Sequence, residues 1–170
     1  MMELTFRKGT VADTQQYIRF LNEVKADMKE QSWFYQDPPE LVQTMMADGT
    51  MELWLAMDGE RIAAAFDILH PGLKPYNYGY DLDLTSEELL RVIHMDTAAV
   101  HRDYRGRGLQ RKMVCTVEEV LKGRGERILV CTVHPENKYS LNNMIQQGYE
   151  VRKHVEKYGS ERFILRKNIY

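Results

Sequence analysis

Polar and apolar residues alternate over residues 3–8, which reads as a first strand. Beyond Thr10 and Asp13, either able to cap a helix, Tyr17, Phe20, Leu21, Val24 and Met28 recur at helical spacing through about Lys29. Trp33, Phe34 and Tyr35 fall in a loop closed by Pro38-Pro39, and a short helix over 40–47 ends before Gly49. Residues 52–57 and 61–69 flank Asp58-Gly59, a pair suited to positive φ, and predict a hairpin. Residues 70–85 are the least regular stretch, with Pro71, Pro75 and the cluster Tyr76, Tyr78, Tyr80, Asp81 and Asp83.

The second half is more regular. A strand from Leu90 or Arg91 to Val100 leads into a glycine-containing loop. A helix over 108–122 follows, with the stripe Leu109, Met113, Val117, Val120 and Leu121. Residues 128–133 are continuously apolar, as expected of a strand covered on both faces. A helix over about 137–147 stops at Gly148, and strands near 149–156 and 161–166 complete the pattern. Strands and helices alternate around a strand–helix–strand unit at 91–133, which argues an α/β domain around one sheet.

Composition bounds the class without choosing a function. A chain of 170 residues fits one domain with a real core, and 44% hydrophobic with 28% charged residues is ordinary for a soluble globular protein. A net charge of -2 gives no general attraction to nucleic acid or an acidic membrane. Glu3, Arg7 and Lys8 interrupt any apolar run at the start, which reads against a signal peptide, and no segment is long enough to span a bilayer. A cytoplasmic protein is the expectation. Cys115 and Cys131 make neither a disulfide framework nor a metal site by themselves, so no metal is expected. Cys115 lies opposite the apolar stripe of its helix, and Cys131 reads as core.

Candidate chemistry concentrates at His101-Arg102-Asp103-Tyr104-Arg105-Gly106-Arg107-Gly108-Leu109-Gln110. Glycines allow backbone N–H groups to approach an anion, and the following helix directs further N–H groups and its positive dipole end at the same point. Leu109-Gln110 after Gly108 excludes a P-loop, which needs Lys-Ser/Thr there. Arg111 at the third glycine position excludes the dinucleotide fingerprint. Arg102, Arg105, Arg107, Arg111 and Lys112 suit a ligand with several phosphates. His101 reads as part of a surface turn.

The segment Val100 to Leu109 resembles the acetyl-CoA loop of GCN5-related N-acetyltransferases, whose pattern Arg/Gln-x-x-Gly-x-Gly/Ala puts Arg105 first, Gly108 fourth and Gln110, a departure, last. Asn137-Lys138-Tyr139-Ser140 with Gly148-Tyr149 is similar to the family's Asn-x-x-Ala helix ending in Gly-Phe. The resemblance implies one domain over residues 1–170 with a mixed, mostly antiparallel sheet of about six to seven strands and about four flanking helices. Its central parallel strands, ending at Val100 and covering 128–133, would splay apart. It further implies acetyl-CoA as cofactor, with the pyrophosphate on the N–H groups of Arg105, Gly106, Arg107, Gly108, Leu109 and Gln110. The pantetheine would bond Asn137 and the strand near Ala98, Ala99 and Val100, whose N–H groups would also hold the oxyanion, and Ser140 joins the cofactor-binding set.

The same resemblance places His94 where some members carry a glutamate base. Imidazole titrates near neutrality, and Asp96, two residues on and so on the same sheet face, could be base itself or orient His94. The family's acid, a tyrosine seven residues after the asparagine, is replaced by Met144. Trp33, Tyr35, Tyr76, Tyr78 and Tyr80 offer aromatic faces and Asp81 and Asp83 offer charge, which together point to a cationic or amine-bearing acceptor. The implied activity is acetyl transfer to a primary amine, small or peptide, by direct attack in a ternary complex. Homodimers are common in the family. The alternative is an acyl-CoA-binding regulatory domain with reduced catalysis, which Met144 favours.

Overall fold

The structure is a computed structural model and describes residues 3–125 and 127–170. In chain order it contains β1 (Thr5–Lys8), α1 (Thr14–Ala26), α2 (Pro39–Asp48), β2 (Met51–Asp58), β3 (Arg61–Leu69), α3 (Ser86–Leu89) and β4 (Val92–Val100). There follow α4 (Leu109–Lys122), β5 (Arg127–Val133), α5 (Lys138–Gln146), β6 (Glu150–Lys157) and β7 (Ser160–Ile169). The strands run in the order β1-β2-β3-β4-β5-β7-β6. β4 and β5 pair in parallel, while β1–β2, β5–β7 and β7–β6 are antiparallel, so the fold is α/β on a mixed sheet. Among the described residues no helix is long and apolar enough to cross a membrane.

The chain packs as two compact units. One comprises the chain up to Ile68 together with Thr97–Val117; the other comprises Leu69–Asp96 and Glu118–Tyr170. The division falls within β4 and within α4.

In the first unit, α1 buries Tyr17, Ile18, Phe20, Leu21 and Val24, the stripe its sequence spacing predicts. It ends at Ala26, earlier than the expected Lys29. Its entry is fixed by Asp13, whose carboxylate accepts the Thr10 N–H at 2.7 Å and both Arg7 terminal nitrogens at 2.8 and 2.7 Å. The Arg7 hydrogen bonds hold Asp13 well below the usual carboxylate range. A lowered carboxylate pKa stabilises the fold above the unfolded value and loses that contribution as pH falls through it. β3 is buried from Ile62 through Leu69 on both faces. The run Ala63-Ala64-Ala65 supplies side chains small enough for close packing on either side.

In the second unit, β5 buries Ile128, Leu129, Val130, Cys131 and Val133, as its unbroken apolar run predicts. β6 and β7 are joined through Tyr158 and Gly159, both at positive φ (57° and 73°). That matches the requirement of a tight two-residue hairpin turn, with a tyrosine where Asn, Asp or Gly is the usual choice. α3 has no counterpart in the sequence expectation, although Thr85 and Glu88 form a reciprocal capping box (Glu88 N–H to Thr85 Oγ1 3.3 Å, Thr85 N–H to Glu88 Oε2 2.9 Å).

Glu118 interrupts the buried face of α4 and is itself buried. Its Oε1 accepts the Tyr149 hydroxyl at 2.8 Å and its Oε2 accepts Lys167 Nζ at 2.6 Å; the same ammonium donates to the Gln147 carbonyl at 2.7 Å. This network ties α4 to the corner after α5 and to β7 within one unit. Removing the cation leaves a buried carboxylate with a single neutral donor, which is the expensive way to break such a pair. Lys167→Met is therefore expected to cost about 3 kcal/mol in denaturant unfolding. Glu118→Gln, which keeps an acceptor for the tyrosine, is expected to cost less.

Candidate functional site

β4 ends at Val100, and the chain makes one 3-10 turn over Arg102–Tyr104 before the glycines. His101 is buried, not in the surface turn that was expected: its Nδ1 accepts the Asp103 N–H at 3.2 Å, which starts that turn. Tyr104 seats the loop on the β2–β3 hairpin, its hydroxyl donating to Asp58 Oδ2 at 2.7 Å beneath the guanidinium groups of Arg61 and Arg107 (5.6 and 5.5 Å from the ring centre). Arg105 is held by Asp27 at 2.9 Å and donates from Nε to the Val100 carbonyl at 3.3 Å. Arg102 reaches the same aspartate at 3.5 Å. Asp27 lies just past the end of α1 and far from the loop in sequence, so no local pattern marks it.

Gly106 and Gly108 have φ of 76° and 69°, and a Cβ built on either would meet nothing within 4 Å. The glycines answer a backbone demand and leave open space on the loop's outer side. Lys112 N–H donates to the Gly108 carbonyl at 3.0 Å, so Gly108 caps α4 without contributing a side-chain oxygen. The N–H groups of Leu109, Gln110 and Arg111 lie in the first turn, where helix geometry offers no intrahelical acceptor. Open space, unclaimed donors, the helix dipole and neighbouring arginines make a cradle that fits a phosphate-bearing group. Gln110, partly buried, presents its own N–H within that first turn.

β4 shows a second set of donors. At its start the strand pairs with β5 through Val92–Ile128, Ile93–Leu129 and His94–Val130, and Ile128 N–H donates to the Arg91 carbonyl at 3.0 Å, so odd-numbered residues face β5. At its end Thr97 N–H donates to Asp67 Oδ1 at 3.3 Å and His101 N–H to the Ala63 carbonyl at 2.9 Å; both acceptors lie on β3, so odd-numbered residues there face β3. A strict two-residue repeat cannot do both. The strand therefore takes up an extra residue between His94 and Thr97, the local effect of a bulge. Beyond that point the N–H groups of Ala98 and Val100 face away from β3, and that of Ala99 faces toward it.

His94, expected as the proton acceptor, is 1% exposed. Its ring stacks on Tyr78 at 4.0 Å between centroids, and its Nε2 accepts the Tyr78 N–H at 3.1 Å. Burial lowers its pKa to about 3. This corrects the expectation: a neutral imidazole whose ring nitrogen already holds a backbone donor is a packing group at neutral pH. Tyr78 is corrected with it. Expected as an exposed aromatic face, it is buried among Val92, Ile128, Val130 and Ile164, and its hydroxyl is bonded to that of Tyr158. Asp96 remains half-buried in the same unit, and its charge helps to raise the pKa of both Tyr78 and Cys131.

Asn137 is half-buried and its Oδ1 accepts the Ser140 N–H at 3.3 Å, so it caps α5 and leaves its amide nitrogen to donate. Tyr139 is 71% exposed and Met144 is buried, its carbonyl accepting the Tyr149 N–H at 3.1 Å. In the first unit Trp33 is half-buried and Tyr35 exposed; in the second Tyr80 is exposed and donates to the Leu73 carbonyl at 2.8 Å. Lys157 pairs with Asp81 at 2.9 Å. Tyr158 and Asp67 enter through the structure. Asp67 had a signal, a lone acid inside an apolar strand, whereas Tyr158 had none. Among the described residues no cluster of three or more His, Cys, Asp or Glu could hold a metal.

Residues 19–149 match the sequence model of the acetyltransferase (GNAT) family. No curated protein matches the sequence. Solved structures share the fold at low identity. An acetyltransferase of the GNAT family from Streptococcus pneumoniae is 16% identical, with a TM-score of 0.77 over 99% of this chain and 100% of that one. Arabidopsis thaliana NAA60, in complex with acetyl-CoA, is 14% identical, with a TM-score of 0.75 over 98% and 99%. The ribosomal-protein-S18-alanine N-acetyltransferase of Escherichia coli is 13% identical, with a TM-score of 0.74 over 98% and 94%.

The buried imidazole makes a direct prediction. Because the folded pKa of His94 lies below its ordinary 6.5, the unfolded chain binds the extra proton first, and stability falls as pH drops from 6.5 toward 3. Imidazole NMR should show His94 neutral down to at least pH 5; a midpoint near 6.5 contradicts the assignment.

Proposed function

The chain belongs to the GNAT acetyltransferase family, and on that footing we propose that it transfers the acetyl group of acetyl-CoA to a primary amine by direct attack in a ternary complex. The single observation that carries the donor half of this reading is the loop. Gly106 and Gly108 at positive φ open onto empty space immediately before α4, whose first-turn N–H groups have no intrahelical acceptor. We assign the pyrophosphate to these donors from Arg105 to Gln110. The N–H of Val100 is assigned to the pantetheine arm.

Acetyl-CoA supplies an acyl carbon activated by a thioester. The amine nitrogen forms its bond to that carbon, the carbon–sulfur bond breaks, and coenzyme A leaves as thiolate. The N–H of Ala98, turned away from β3, is the donor assigned to the developing oxyanion. The proton lost by the amine goes to Asp96, directly or through water; His94 is not assigned the role, because burial and its bond from Tyr78 hold it neutral. With Met144 buried where the family tyrosine would stand, the thiolate takes its proton from solvent.

Within the second unit, Asp96 and Tyr80 offer a carboxylate and an aromatic face to a protonated amine before it is deprotonated. Two of the structural neighbours are named ribosomal-protein-alanine N-acetyltransferases, so a protein or peptide amine stands beside a small amine as the acceptor class. The regulatory alternative, binding without turnover, is favoured by Met144 alone.

Two experiments test this reading. Gly108→Asp puts a carboxylate and a Cβ into the cradle, and acetyl-CoA affinity by calorimetry should fall about tenfold or more, the scale of one lost charge-assisted hydrogen bond; unchanged affinity removes the loop assignment. Asp96→Asn should lower kcat about 10²-fold with little change in KM for acetyl-CoA, measured as coenzyme A release against a panel of small amines and peptide N-termini. Release with none of them, by a wild-type protein that binds acetyl-CoA, selects the regulatory alternative.

A further inference from the structure

Asp67 is the lone acid in the apolar run of β3 and is 1% exposed. Its two oxygens are divided between different elements of one unit. Oδ2 accepts the hydroxyl of Tyr17, itself fully buried on α1, and Oδ1 accepts the Thr97 backbone N–H on β4 at 3.3 Å. An apolar residue there would pack in a strand already buried on both faces, and a carboxylate taken from water is costly unless its partners are well placed. The carboxylate therefore has a use that packing does not supply.

That use lies in the peptide it holds. Thr97 is the first residue after the parity change in β4, and the next N–H along the strand is that of Ala98, on the opposite edge. Fixing Thr97 from the β3 side fixes the peptide plane that precedes it, and through one residue's backbone angles sets the direction of the Ala98 N–H. A donor to a developing oxyanion must be held to about half an ångström to be worth its place. A strand that has just passed an irregularity lacks the continuous ladder that ordinarily supplies such rigidity.

We propose that Asp67 is a positioning residue for acetyl transfer: through the Thr97 N–H it aims the Ala98 N–H at the thioester carbonyl. The inference rests on the acetyl-CoA reading above. Because Asp67 acts from the β3 side, its charge is kept on the edge away from the oxyanion, and its loss would blunt recognition of the acetyl group without weakening the hold on coenzyme A.

The test compares wild type, Asp67→Asn, Asp67→Val and Tyr17→Phe. Calorimetry gives the affinity of each for acetyl-CoA and for coenzyme A, and the carbonyl stretch of bound acetyl-CoA labelled with carbon-13 at the acetyl carbonyl reports the hydrogen bond itself. Wild type should prefer acetyl-CoA and show a lowered stretch. Asp67→Asn, which keeps an acceptor oxygen for Thr97, should retain both. Asp67→Val should lose about five- to tenfold of the preference, the scale of one neutral hydrogen bond, with coenzyme A affinity unchanged and the stretch returning toward its unbonded value. Tyr17→Phe should lower the melting temperature yet keep the signature. Equal loss in Tyr17→Phe and Asp67→Val makes the role merely structural and overturns the proposal, as does an unchanged Asp67→Val. Should the valine variant not fold, the wild-type Ala98 amide proton decides: a downfield shift with acetyl-CoA and none with coenzyme A supports the proposal, and indifference to the acetyl group overturns it. A wild type that binds neither ligand overturns the acetyl-CoA reading; one that binds both with an unshifted carbonyl overturns this inference alone.

Discussion

Backbone N–H groups are obligatory donors, and a fold ordinarily consumes them in its own helices and sheet. In the acetyl-CoA reading proposed above, two successive segments keep some of them for a ligand: the end of β4, and the loop and first turn of α4. Each segment is then deprived of part of the bonding that would hold it still. The surrounding structure compensates with side chains. Asp67 takes Thr97 N–H, His101 takes Asp103 N–H, Tyr104 is tied to Asp58, and Arg105 is tied to Asp27. These contacts lie in one compact unit and, apart from the local His101–Asp103 bond, join segments distant in sequence.

The second unit meets its polar requirements differently. Glu118 is shared by Tyr149 and Lys167, and His94 is stacked on Tyr78 and bonded by its N–H. The Glu118 carboxylate is satisfied by its two donors, and burial holds the His94 imidazole neutral. The two environments explain why neighbouring positions on β4 have different fates: His94 is sealed into the core, while Asp96 keeps partial contact with water.

Much of this was legible from residue order. The apolar run of β5, the stripe of α1 and the glycine loop before α4 each follow from local pattern, because burial on both faces, helical periodicity and positive φ all leave direct marks on sequence. The expected seven-strand upper bound and parallel central pair also match the sheet. What pattern could not supply was solvent access. His94 sits in a strand that reads as apolar with polar interruptions, and nothing local distinguishes a histidine in a cleft from one stacked under Tyr78, sixteen residues earlier. Tyr78 misled for the same reason, since a tyrosine near prolines looks exposed until its hydroxyl finds Tyr158 across the β6–β7 turn. Asp27 and Asp67 act through partners far along the chain, which local spacing cannot reveal. The Thr85–Glu88 box that starts α3 does leave a local mark, but the helix is four residues long and too short to show a periodicity.

The donor assignment can be tested on the backbone atoms that carry it. In a nitrogen-15 NMR titration with coenzyme A, the amide signals of Gly106, Gly108, Leu109 and Gln110 should move most, saturating together, because their N–H groups are the ones given to the pyrophosphate. If coenzyme A binds and those four signals stay in place while others shift, the cradle lies elsewhere and the reading of the loop is wrong.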